Sequence, residues 1–74
     1  MKALHVKHAI IEWVRHGERN GTVRPGLADE MHAVLTLREV APGSFLYDLP
    51  ATRPEMKPIV HAAYTAVIHA ASAN

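Results

Sequence analysis

Residues 58–74, PIVHAAYTAVIHAASAN, contain no Asp, Glu, Lys or Arg, in a chain of which 20% is charged. Alanine dominates the stretch, and alanine is the strongest helix former. Wound at about 100° per residue, His61, Thr65, His69 and Ser72 gather on an arc of roughly 80°. The rest of the circumference is apolar and of two kinds. Val60, Tyr64, Val67, Ile68 and Ala71 make a bulky side, and Ile59, Ala62, Ala63, Ala66, Ala70 and Ala73 make a small one. A surface helix ordinarily carries an apolar stripe about 100° wide. This helix has about twice that, so it is expected to need cover on two flanks.

Seventy-four residues make one small domain, and a domain of this size buries only about 60–65% of its unfolded surface. The bulky side suits the chain's own core. The small side, with Ala62, Ala63, Ala66, Ala70 and Ala73, is the expected dimer interface, because small side chains let a second backbone approach. The alternative is that the rest of the chain covers both flanks. A transmembrane span is not expected, since the run falls short of about 20 apolar residues and carries two histidines.

The absence of cysteine removes disulfides and thiolate metal ligands. With 49% hydrophobic residues and few aromatics (Trp13, Phe45, Tyr47, Tyr64), the core must be mostly aliphatic. Self-association is the stabilising device still open to so short a chain. The first twenty residues are interrupted by Lys7, His8 and Glu12 and lack the apolar run of a signal peptide, so a cytoplasmic location is expected. Asn20-Gly21-Thr22 matches a glycosylation sequon but reads as a turn.

Residues 2–19 read as an amphipathic helix. Ala3, Val6, Ala9, Ile10, Trp13, Val14 and Gly17 recur at helical spacing on one side. Leu4 and Ile11 lie at its margin, and Lys7, His8, Glu12, Arg15, His16 and Arg19 lie opposite. Trp13 is the expected centre of the core, and Asn20-Gly21 the expected helix stop. Pro25-Gly26 signals a turn.

Residues 27–50 admit two readings. A second helix over 27–40 would place Asp29 and Glu30 in its first turn and Arg38 in its last, in accord with the helix dipole. A β-hairpin would alternate through residues 34–40, turn at Pro42-Gly43, and return through 44–49 with Phe45, Tyr47 and Leu49 on one face. A compromise puts a short helix at 27–32 and strands after it. The fold class is therefore mainly α, with long N- and C-terminal helices around a third helix or a hairpin, the hairpin giving an α+β alternative. Thr52 to Glu55 fits a capping box, and the last helix is expected to start between Glu55 and Pro58.

Six histidines are the compositional oddity. His5, His8, Glu12 and His16 share one helix face, a spacing able to chelate zinc or nickel, yet polar residues at those positions ordinarily form a solvated face. No metal site, cofactor or catalytic residue is assigned: there is no G-x-S-x-G elbow, Walker loop or H-E-x-x-H. Charge is uneven, with five basic and two acidic residues in 1–26 against three and five in 27–57. That bias is too weak to require nucleic acid.

The expected function is that of a non-enzymatic protein-binding module, a regulator, adaptor or inhibitor, working as a homodimer on another protein. Lys7, His8, Arg15, Arg19, Phe45 and Tyr47 are its candidate contacts. A small helical nucleic-acid-binding protein using the basic first helix is the alternative, with Lys2, Lys7, Arg15, Arg19 and Arg24 meeting phosphates.

Overall fold

The computed structural model describes residues 2–72. Helix α1 spans Ala3–Asn20, α2 spans Leu27–Val34, strands β1 and β2 span Thr36–Ala41 and Ser44–Asp48, and α3 spans Met56–Ser72. The short axis of the molecule is 17 Å, room for two layers of secondary structure. Helix α1 is the hub, since α2, α3 and β1 all pack against it.

Helix α1 ends as its sequence predicts. Gly21 takes a left-handed φ of 81°. The Thr22 amide donates to the Gly17 carbonyl at 2.8 Å and the Gly21 amide to Glu18 at 3.3 Å, the paired bonds of a Schellman cap. A Cβ on Gly17 would stand 3.0 Å from Thr22 Oγ1 and 3.2 Å from Val23 Cγ2, so a glycine there lets the chain fold back closely.

The face that α1 buries is turned from the expected one. Val6, Ile10, Val14 and Gly17 are buried as foreseen, but Ile11 is only 3% exposed while Trp13 is 40% exposed. The expectation that Trp13 centres the core is therefore wrong. Helix α2 docks on the Ile11 side of α1, and that contact draws Ile11 inward.

The long helix over 27–40 does not form. Helix α2 stops at Val34, and Leu35 turns extended at φ −78°, ψ 128° while staying fully buried. The chain then enters the hairpin, so the compromise of a short helix followed by strands is the observed arrangement. The strands pair antiparallel, Leu37 opposite Tyr47 and Arg38 opposite Leu46, with a bulge between Glu39 and Ala41. Gly43 has φ 75°, as the position after proline in a type II turn requires. Phe45 is buried while Leu46 is 51% exposed, the alternation of a strand with one covered face. A lone hairpin is marginal in water, and packing of Phe45 and Leu37 on the helices holds this one.

Helix α3 starts at Met56, inside the expected window. Thr52 is too far upstream to cap it, so the capping box does not form. Two turns precede it instead, closed by Arg53 N–H to the Pro50 carbonyl at 3.0 Å and Met56 N–H to the Arg53 carbonyl at 3.2 Å. Pro58 is the third helical residue, where no intrahelical donor is needed. Met56, Val60 and Ala63 are fully buried, so the core stripe is rotated by about 50° from the bulky side toward the small one. Ala63 belongs to the chain's own core and leaves the expected dimer set. Ala62 and Ala70 are exposed and Ala66 is half-buried, while Ala73 lies outside the described residues.

The core is one cluster of aliphatic and methionine side chains with Phe45, and no polar or charged residue is buried among the described residues. Among these residues, no helix is long and apolar enough to cross a membrane.

Candidate functional site

Along α1, His8, Ile11, Arg15 and Glu18 follow one another at intervals of three and four, the spacing that keeps side chains on one helical face. All of them engage α2. Glu18 places Oε1 2.7 Å from the Gly26 amide and Oε2 2.9 Å from the Ala28 amide. Both amides are at the N-terminus of α2, where backbone donors lack intrahelical partners and the helix dipole favours negative charge. Gly26 has φ 89° and offers no capping side chain of its own, so the cap comes from the neighbouring helix. Arg15 reaches Asp29 at 3.1 Å and Glu12 at 3.4 Å. His8 lies beside His32, ring centroids 6.4 Å apart and planes 16° from parallel.

A second polar cluster fixes the approach to α3. Glu30 on α2 pairs with Arg24 and, at 3.1 Å, with Arg53, which also meets Glu55 at 3.6 Å. The hydrogen bond from Arg24 is the main reason the Glu30 carboxyl sits below its ordinary value; partial burial opposes the shift and Arg53 adds to it.

The residues expected to contact a partner are scattered by this arrangement. Phe45 is 6% exposed and belongs to the core, so it is not the surface anchor expected of it. Tyr47 is half-buried, its ring centroid 5.9 Å from that of Tyr64. Arg15 is tied to Asp29 and Glu12, and His8 faces His32. Lys7 is half-buried beside Leu4 and Thr36, and Arg19 is exposed. What was missed are the exposed apolar side chains: Leu4 at 60% and Trp13 at 40% on α1, with Val40 and Leu46 on the hairpin. No pattern in the sequence marks Trp13 as exposed, because its position fits the apolar face.

Two recesses of about 330 Å³ each open on the surface. One lies where β2 runs into the turns before α3, lined by Tyr47, Asp48, Arg53 and Lys57 among others. The other lies between α1 and α2, lined by His8, Ile11, Glu12, Arg15 and His32. Among the described residues, no group of three or more His, Asp or Glu side chains is placed to hold a metal ion. No protein-family model, curated protein or solved structure matches the chain.

Proposed function

We propose that the chain is a small non-enzymatic protein-binding module, a regulator, adaptor or inhibitor that occupies a surface of a larger protein and pairs with a second copy through the outer side of α3. One observation carries this reading. Met56, Val60 and Ala63 are buried, but from Tyr64 to Ala71 the helix has neither a charged residue nor a fully buried one. Tyr64, Val67 and Ile68 pack at the edge of the core, and the small side chains of Ala62 and Ala70 are left exposed with Ala66 half-buried between them, where cover would gain about 25 cal/mol for each Å² of apolar surface removed from water.

A second copy suits this surface for an electrostatic reason. Two-fold pairing sets a patch against itself, so any charge on it would meet its own like. Helix α3 has no charged residue beyond Lys57, and Ala62, Ala66 and Ala70 allow close approach. Trp13 on α1, 40% exposed, supplies an apolar anchor for the larger partner. The nucleic-acid reading loses support, because Arg15 and Arg24 are both held in ion pairs within the chain.

Sedimentation equilibrium at micromolar concentration tests the pairing. Wild-type protein should weigh twice a single chain, and Ala62→Glu should halve the mass while the helical circular dichroism persists. A monomeric wild type would remove the dimer. A salt-sensitive gel shift of a random DNA duplex would put the nucleic-acid reading in place of the protein-binding one.

A further inference from the structure

We propose that His8 and His32 form a two-imidazole site for a divalent late transition metal, nickel or zinc, which clamps α1 to α2. The rings face each other across two helices with centroids 6.4 Å apart. Metal–nitrogen bonds of about 2.0–2.1 Å, added to the ring radii, separate two ligating centroids by about 5.3 Å at a tetrahedral angle and about 6.5 Å when collinear. The observed spacing is within that reach. The rings are stacked, and an imidazole lone pair lies in its ring plane, so binding requires each ring to turn about its side-chain torsions until one nitrogen points at the ion.

The surroundings favour this. Both histidines are exposed, and among the described residues neither ring makes a hydrogen bond that binding would have to break. The backbones carrying them are already fixed by Glu18 at the start of α2 and by the pair Arg15–Asp29. The recess between the helices gives room for the ion and its waters. Glu12 and Arg15 also line it and leave it electrically balanced. Imidazole nitrogen suits nickel, copper and zinc. With two protein ligands the remaining coordination positions fall to water, which makes the site open and exchangeable rather than a closed structural centre.

The site differs from a chelate made by α1 alone, in which His5, His8, Glu12 and His16 would bind without α2. Thermal unfolding and isothermal titration with nickel chloride and with zinc chloride separate the two. Wild-type protein should bind one ion per chain, and an ion that prefers the folded state should raise its melting temperature by a few degrees. His8→Ala and His32→Ala should each weaken binding at least tenfold and abolish that rise, while His16→Ala should keep both. His32→Asn, which stays polar and of similar size, repeats the test if the alanine variant unfolds. No rise with either metal, or binding that survives loss of His32, overturns the proposal.

Discussion

Glu18 shows how one side chain can set the relation of two helices. Its carboxylate accepts from the amides of Gly26 and Ala28 and so serves as the N-cap that α2 lacks. Replacing a capping group by alanine costs about 0.5–2 kcal/mol, and Glu18→Ala should fall in that range by urea unfolding. Glu12→Ala, which removes only an exposed pair with Arg15, should cost under about 1 kcal/mol. Equal losses for the two would show that Glu18 is not a cap.

Glu30 makes a prediction about pH. Its folded carboxyl lies below the ordinary 4.5 because Arg24 and Arg53 favour the charged form. The unfolded chain therefore takes up this proton more readily. The resulting stability is whole above the ordinary value and is lost as pH falls through the lower, folded one. The gap in urea midpoint between wild type and Glu30→Gln should hold steady near neutrality and close below pH 4.5. A gap unchanged down to pH 3 would contradict the assignment. Trp13 belongs at the same scale. With 40% of its surface in solvent, truncation to alanine should cost well under the about 3–5 kcal/mol of a buried aromatic.

Among the elements, the hairpin depends most on its neighbours. Its outer face, with Thr36, Arg38, Leu46 and Asp48, is exposed, and Phe45 is its one buried side chain. Phe45→Ala should cost about 3–5 kcal/mol and release β1 and β2 first, seen as faster amide exchange in residues 36–48 than in α1. Uniform loss of protection across the molecule would instead tie the hairpin to the core as one unit. Helix boundaries were legible where backbone chemistry acts locally. Gly21 ends α1 because a left-handed residue is needed there, and Pro58 sits in the first turn of α3 because only there is its missing N–H harmless. The end of α2 at Val34 was not legible. Leu35, Thr36 and Leu37 fit a helical or an extended pattern equally well, and pairing with β2 made the choice.

For the whole molecule, the core is a single cluster shared by every element except β1, whose Leu37 packs at its edge. One cooperative transition should follow. A domain of 74 residues is expected to be stable by about 4–11 kcal/mol. Met31, fully buried on α2, should cost about 2–5 kcal/mol on truncation to alanine, lowering the melting temperature by at least about 10 °C. Scanning calorimetry checks this. Two separable transitions would show that α2 does not share the core of α1 and α3.

The candidate site divides along the same line. Sequence alone determined that the chain would form long first and last helices, that the last would carry almost no charge, and that Gly21 and Gly43 would turn the backbone, since each of these follows from a residue's own conformational range and local spacing. The polar flank of α1 was legible as a row of His8, Glu12, Arg15 and His16, and read by itself it faces water. Only the tertiary structure set α2 along part of that flank, drew Ile11 in, left Trp13 out and gave Glu18 a helix to cap. Which side of an amphipathic helix receives a neighbour depends on distant groups arriving together, and no pattern within one segment records their arrival.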